Sequence, residues 1–158
     1  MTPDPALAPF SALVGTWTTE ATHPMVPGVI VHGTATVKWL EGERFLNFHA
    51  LTDHPDFPDT LSIIGDMGHD RAEPGGGPLV AQPSALRMYN FDSRGVFRIC
   101  ETSIDTASWR VWRMAPGFSQ RFTGQFSNGG NTISGTWELC TDDINWASDL
   151  AITYRRQR

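Results

Sequence analysis

The stretch of sequence that decides the fold is residues 108–140, SWRVWRMAPGFSQRFTGQFSNGGNTISGTWELC. It holds three runs rich in β-branched and aromatic residues, which are separated by residues 115–117 (APG) and 128–131 (NGGN). Runs of that composition are typical of strands, and Pro, Gly and Asn in such short separators are typical of tight turns. The stretch therefore predicts three consecutive antiparallel strands joined by hairpins.

The same alternation of runs and turns continues over the rest of the chain. Most connections have hairpin length, so consecutive strands should be antiparallel neighbours. We predict an all-β fold, a ten-stranded antiparallel up-and-down β-barrel that forms a single domain over residues 1–158, with a two-sheet sandwich as the alternative. The predicted strands are residues 15–23, 33–40, 44–52, 60–67, 85–91, 96–104, 108–114, 120–126, 132–140 and 146–155.

Two segments fall outside this strand pattern. An apolar stripe formed by Leu7, Phe10 and Leu13 predicts a short helix over residues 5–14, before the first strand. Residues 68–84 contain the run EPGGGP and predict a flexible Gly/Pro loop.

Composition and charge exclude several classes of protein. The net charge is −5 at pH 7 and Lys38 is the only lysine, so we expect no nucleic-acid partner, because phosphate binding needs clustered basic residues. No apolar run reaches the roughly 20 residues that cross a bilayer, and the first nine residues lack a signal-peptide pattern, so we expect no membrane partner. Cys100 and Cys140 are too few for a disulfide scaffold and predict a cytoplasmic protein with free thiols.

The segment Gly15-Thr16-Trp17 resembles the Gly-x-Trp signature of lipocalin-like (calycin) barrels. The resemblance implies that Trp17 closes the base of the barrel against a basic residue of the last strand; Arg155 is predicted for this role, with Arg156 as the alternative. The chain resembles more closely a group of uncharacterised bacterial calycin-like proteins, a domain of unknown function, and is distantly similar to nitrobindin and fatty-acid-binding barrels. The segments that carry this resemblance are residues 17–24, 39–42, 53–59, 90–96 and 118–124.

The resemblance to nitrobindins raises haem as a cofactor, because those proteins hold the iron through a histidine near the C-terminal end of the barrel. This chain has no histidine after His69, so the late strands offer none. Tyr154, Cys140 or His49 would be left as iron ligands, and we predict no cofactor. The Arg-x-Tyr pair that fatty-acid-binding proteins carry in the last strand is also absent, since Tyr154-Arg155 reverses its order.

Six polar or aromatic residues of the middle strands form the predicted ligand-binding set. Residues 109–113 (WRVWR) place one Trp and one Arg on each face of a strand, and an inward Trp–Arg combination suits an aromatic or carboxylate ligand. The structural alternative is one Trp in the core, with the Arg stems spread over apolar surface. Glu101 and Glu138 are candidate ion-pair partners of Arg121, Arg98 or Arg110. Such a pair would be either structural or the anchor of a site. The six are His49, Tyr89, Glu101, Arg110, Trp112 and Arg121.

Side-chain alternation leaves open which face of the middle strands is inside. In residues 45–51 (FLNFHAL) both faces are largely apolar, and a single bulge inverts the parity of every residue that follows.

The segment 53–59 (DHPDFPD) carries three carboxylates and one histidine. These groups suit a divalent metal or an acid–base pair. The favoured alternative is a rigid loop whose prolines fix its path and whose Asp side chains make turn contacts, so no metal site is predicted.

Three hypotheses of function follow from a barrel with an interior. The favoured one is a lipocalin-like module that binds a small, largely apolar or amphipathic molecule, with Arg110, Arg113 or Arg121 orienting its polar or anionic group. The second is a small-molecule enzyme of isomerase, cyclase or hydrolase type, with His49 or Glu101 as the acid–base; the sequence favours binding over catalysis. The third is a homodimeric interaction module with a filled barrel, in which outward Trp and Phe pair two barrels.

Overall fold

The computed structural model describes residues 4–66 and 86–158, so the loop predicted at 68–84 lies outside the described residues. A 3₁₀ helix, Ala8–Leu13, precedes the first strand, and a second short one, Asn128–Gly130, lies in a turn. The strands are β1 (Gly15–Thr22), β2 (Val31–Trp39), β3 (Phe45–Thr52), β4 (Thr60–Asp66), β5 (Leu86–Asp92), β6 (Phe97–Ile104), β7 (Ser108–Arg113), β8 (Ser119–Ser127), β9 (Thr132–Cys140) and β10 (Ala147–Arg156).

The ten strands form one closed barrel in which every neighbouring pair is antiparallel. The order of strands around the barrel follows the chain, and the barrel closes where β1 pairs with β10, with Trp17 opposite Arg156 and Thr22 opposite Ala151. This is the up-and-down arrangement, which leaves no free sheet edge. The predicted fold class is confirmed, and the two-sheet sandwich is wrong.

The N-terminal helix is shorter and tighter than predicted. A 3₁₀ helix has 3.0 residues per turn, so the three-residue spacing of Leu7, Phe10 and Leu13 places all three on one face. Each of them is at most 1% exposed. Residues 5–7 form a turn instead of a helix, in which the N–H groups of Leu7 and Ala8 donate to the carbonyl of Asp4.

One end of the barrel, the base, is closed by this helix together with Trp17 and Arg156. Trp17 is 1% exposed, and its indole N–H donates to the Leu13 carbonyl at 2.9 Å. The Arg156 guanidinium carbon lies 4.1 Å from the centroid of the Trp17 ring. The same guanidinium donates to the carbonyls of Val14 and Ala12, which ties the last strand to the helix.

The basic residue at the base is therefore Arg156, whereas Arg155, the residue predicted for this role, lies on the outer face of β10. There it donates to Glu20 at 3.2 Å, in an ion pair whose side chains are 54% and 48% exposed. Successive residues of a strand point to opposite faces, so a shift of one residue moves the role from one arginine to the next.

A pair of glycines shapes the inner wall. Gly124 of β8 lies opposite Gly135 of β9, and the Phe122 ring packs against the backbone of both. A Cβ added at Gly135 would lie 2.3 Å from a Phe122 ring carbon, and one added at Gly124 would lie 2.9 Å from the ring. Glycine at these two positions therefore lets an aromatic ring lie flat against the wall of the barrel.

Candidate functional site

The barrel encloses a cavity of about 710 Å³. More than half of the residues that line it are apolar or aromatic. Its mouth lies opposite the base, since it is lined by Met25 from the β1–β2 connection, by Phe57 from the β3–β4 connection and by Val96 from the β5–β6 connection. An enclosed, mostly apolar volume of this size is typical of small-molecule sites.

The floor of the cavity, called here the aromatic floor, consists of Phe48, Trp109, Phe122 and Tyr154. The centroid of the Phe48 ring lies 5.7 Å from that of Trp109 and 6.1 Å from that of Tyr154. The centroids of the Trp109 and Phe122 rings are 5.1 Å apart. The Trp109 indole N–H is satisfied, because it donates to the Thr102 hydroxyl at 3.0 Å. The rings thus present a rigid apolar surface to a guest molecule.

Tyr154 adds one polar atom to this floor. The side chain is 8% exposed, and among the described residues nothing hydrogen-bonds its hydroxyl. Burial raises the pKa of the Tyr154 phenol above its usual value, so the group stays protonated and can act as a donor at neutral pH.

A second polar feature crosses the cavity wall from β4 to β6. Ser62 lies opposite Asn90, and Asn90 lies opposite Arg98; all three line the cavity, and we call them the polar row. Directly opposite residues of an antiparallel pair have Cβ atoms about 4.5 to 5.5 Å apart, so Asn90 is close to both Ser62 and Arg98, and the three side chains form a continuous polar strip on the cavity wall. Next along the row, Ser62 lies opposite Phe48 of the aromatic floor.

None of the side chains of the polar row is hydrogen-bonded within the described part of the chain. The Ser62 hydroxyl is buried and has no partner, in a residue that is 1% exposed. The amide of Asn90 and the guanidinium of Arg98 have no polar partner among the described residues either. The Arg98 guanidinium carbon lies over the Phe118 ring, 5.1 Å from its centroid, which positions the cation but satisfies none of its N–H groups.

Asp92 lines the cavity on the same β5–β6 hairpin as Arg98, but its carboxylate is already hydrogen-bonded to other groups. It accepts hydrogen bonds from the backbone N–H of Arg94 and Val96, and from the Arg94 guanidinium at 2.7 Å. The hydrogen bond from Arg94 lowers the pKa of Asp92 below its usual 3.8. Asp92 therefore organises the hairpin and leaves Arg98 without a carboxylate partner.

At the mouth, His23 and Asp149 join the ends of β1 and β10. The backbone N–H of Met25 donates to His23 Nδ1 at 3.1 Å, so Nδ1 carries no proton, and Nε2–H donates to Asp149 Oδ1 at 2.6 Å. The ring also contacts Phe57, with centroids 5.9 Å apart. Both ring nitrogens are thus engaged, and the imidazole holds the rim of the mouth in place.

The segment 53–59 forms a loop, and two of its three Asp side chains tie it to the adjacent strands β2 and β3. Asp53 accepts from the His32 N–H and Asp59 from the Thr52 N–H, each at 3.0 Å. Within residues 4–66 and 86–158, no group of three or more His, Cys, Asp or Glu side chains is placed to hold a metal ion.

The six residues predicted to bind a ligand lie on the outer face of the barrel. Each occupies a strand position of the parity opposite to that of the cavity-lining residues on the same strand, and none of the six lines the cavity. His49, Glu101 and Arg110 are exposed, and Tyr89, Trp112 and Arg121 are half-buried. Glu101 lies opposite Trp112, and Trp112 lies opposite Arg121, so three of the six are neighbours on the outside.

Arg121 forms its predicted ion pair, and the partner is Glu138. Its Nε and Nη2 donate to the two carboxylate oxygens, each at 3.0 Å, and its guanidinium carbon lies 4.0 Å from the centroid of the Trp146 ring. The hydrogen bond from Arg121 lowers the pKa of Glu138. This pair braces the outer face between β8 and β9, in keeping with its structural interpretation.

Of the three side chains that remained as haem ligands, only Tyr154 lines the cavity. Cys140 is buried elsewhere, with its thiol near Asp142 at 3.7 Å, and His49 points outward. Cys100 lines the cavity, and both cysteines are free.

A shallower depression of about 560 Å³ lies over β8–β10 and β1. Most of its lining side chains are outward hydroxyl and amide groups such as Thr123, Gln125 and Ser134, and its one carboxylate, Glu20, is paired with Arg155. It has neither apolar depth nor an unpaired charge, so the interior cavity is the better candidate site.

Sequence reasoning missed Ser62 and Asn90, and it treated Arg98 only as an ion-pair partner. The signal that could have found them is the alternation of inward and outward residues along each strand. Starting from the inward residue Trp17, this alternation can be carried to the next strand wherever a short connection fixes the register. That transfer fails between β4 and β5, because their connection is too long to fix a register.

The fold and the site define a class: a closed ten-stranded antiparallel β-barrel with a mostly apolar interior cavity. No family model matches the chain, and no curated protein matches it. A solved structure with a similar fold is that of Rv2717c from M. tuberculosis, with a TM-score of 0.65 at 14% sequence identity, covering 99% of this chain and 100% of that one. At this identity the likeness shows the fold alone.

Among the described residues, no helix has the length and apolar character needed to cross a bilayer.

Proposed function

We propose that this protein binds a small, largely apolar molecule with one polar or anionic group in the interior of the barrel. The observation that carries the proposal is the cavity of about 710 Å³, in which an aromatic floor faces polar side chains that have no partner among the described residues. Typical small-molecule sites span about 300 to 1,000 Å³ and combine apolar walls with a few polar groups.

Binding is favoured over catalysis by the state of the polar groups. His23 is the one histidine among the described residues that line the cavity, and both of its nitrogens are hydrogen-bonded. Burial raises the pKa of the Cys100 thiol, which disfavours the thiolate that nucleophilic chemistry needs. An enzyme of isomerase or hydrolase type would need a free base within reach of its substrate.

The proposal predicts that filling the cavity abolishes binding. Ala50 of β3 lines the cavity, so Ala50→Phe should weaken the binding of an apolar fluorescent probe such as anilinonaphthalene sulfonate at least tenfold. The matched control is Ala151→Phe on the outer face of β10, where the residue is exposed and the probe affinity should stay within about twofold. Fluorescence titration measures both, and circular dichroism checks that both variants fold. Equal probe affinity in Ala50→Phe and wild type, or no binding by wild type, would contradict the proposal.

A homodimer is a second proposal, favoured by the outer face of β4–β6. Phe91 and Phe97 stack there with centroids 5.0 Å apart and are 43% and 52% exposed, and Leu61 and Ile99 beside them are 39% and 42% exposed. Contiguous exposed apolar side chains are typical of protein interfaces. We further infer a cytoplasmic location, which the two free cysteines support.

A further inference from the structure

We propose that the polar row of Ser62, Asn90 and Arg98 binds the carboxylate of an apolar carboxylic acid. This inference rests on the proposed interior site and names the chemical class of its ligand. It follows from the position of the three side chains, which face one another across consecutive strands and have no partner among the described residues.

The charge of Arg98 selects an anion. Its guanidinium is half-buried and lines the cavity, and Phe118 covers one side of it. A planar guanidinium has five N–H donors and matches a carboxylate through two parallel hydrogen bonds. Asp92 is held by Arg94 and Asp149 by His23. No described carboxylate, that of the cavity-lining Asp56 included, forms an ion pair with Arg98, so a ligand carboxylate would neutralise it.

Asn90 and Ser62 complete the recognition of one carboxylate. The Asn90 amide has two N–H donors and the Ser62 hydroxyl has one. Asn90 lies between the other two in the register, opposite Arg98 on one side and Ser62 on the other. Among the described residues the buried Ser62 hydroxyl has no hydrogen-bond partner, which is destabilising, so a ligand group that reaches it gains affinity from satisfying it.

The rest of the cavity sets the character of the remainder of the ligand. Ser62 lies opposite Phe48, so a molecule anchored on the polar row extends directly onto the aromatic floor. One unpaired guanidinium matches a single negative charge, and the carboxylates of Asp56 and Asp92 also line the cavity and would repel a second one. The ligand class is therefore a monocarboxylic acid with an apolar body.

The experiment compares decanoate with 1-decanol, two probes that share an apolar chain and differ in the head group. Isothermal titration calorimetry should show that wild-type protein binds decanoate at least tenfold more tightly than decanol. Arg98→Met keeps an unbranched stem and removes the guanidinium with its charge, and it should weaken decanoate binding about 10- to 100-fold, the loss expected for charge-assisted hydrogen bonds. The same variant should bind decanol within about twofold of wild type.

Matched variants keep the test specific. Arg110→Met removes an exposed arginine of the outer face and should leave the affinity for both probes unchanged. Arg98→Lys keeps the charge but not the planar fork, and it should restore only part of the decanoate affinity. The head-group preference of wild type needs no variant, so the proposal stays falsifiable even if Arg98→Met does not fold.

The outcomes separate the two proposals. Equal affinity of wild type for decanoate and decanol, or an unchanged decanoate affinity in a folded Arg98→Met, would overturn the carboxylate anchor and leave the interior site standing. Binding of neither probe would contradict the interior site itself, and the anchor with it.

Discussion

Replacing Trp17 with alanine is expected to lower the free energy of unfolding by about 3 to 5 kcal/mol, the range for large buried aromatic residues. Trp17 is 1% exposed, packs edge-on against Tyr154 with centroids 6.4 Å apart, and donates its N–H to the Leu13 carbonyl. The substitution leaves a void at the base, exposes the face that the N-terminal helix covers, and leaves a carbonyl without its partner. Urea unfolding followed by circular dichroism measures the loss.

The control for this prediction is Trp146→Ala. Trp146 is half-buried on the outer face, where it stacks on Arg121, so its removal should cost about 1 kcal/mol or less. A loss below about 1 kcal/mol for Trp17→Ala would contradict its role in closing the barrel.

The second large effect is expected for Arg156→Met, which should lower the free energy of unfolding by about 2 to 4 kcal/mol. This guanidinium donates to the carbonyls of Ala12, Val14 and Gly130 and lies over the Trp17 ring. Arg156 is half-buried, and this burial lowers the pKa of its guanidinium below the usual value. Methionine keeps an apolar stem but provides neither the cation over the Trp17 ring nor a donor for the three carbonyls.

The adjacent residue supplies the matched control. Arg155→Met removes the exposed ion pair with Glu20, and pairs of that kind contribute about 0 to 1 kcal/mol. Thermal unfolding should therefore separate two substitutions that are one position apart. Equal losses in the two variants would mean that the base is not held by Arg156.

Much of the fold follows from local sequence. Residues 132–140 begin and end as predicted, because the NGGN turn before them fixes where the strand starts. The other strands begin and end within two residues of the prediction. The type of the N-terminal helix was harder to predict from the sequence. An apolar stripe of Leu7, Phe10 and Leu13 is compatible with both an α-helix and a 3₁₀ helix until its packing partners are known.

The candidate site was harder to predict, because whether a residue lines the cavity depends on which face of its strand it occupies. Arg98 and Glu101 belong to the same strand, yet Arg98 faces the cavity and Glu101 faces solvent. The outer face of β4–β6 is as apolar as the inner one, with Phe91 and Phe97 outside, so hydrophobicity does not indicate the interior. Only the pairing of strands around the closed barrel resolves the two faces.

The closed base has a consequence for how the molecule fluctuates. Its fixed contacts are concentrated at one end, where Trp17, Arg156 and the N-terminal helix interlock. At the other end the β9–β10 register shifts between Ser148 and Ala151, which interrupts the ladder beside the rim. Amide protons should therefore exchange slowly near Trp17 and progressively faster toward that interruption, so that a guest can enter and leave through local opening while the global fold stays intact.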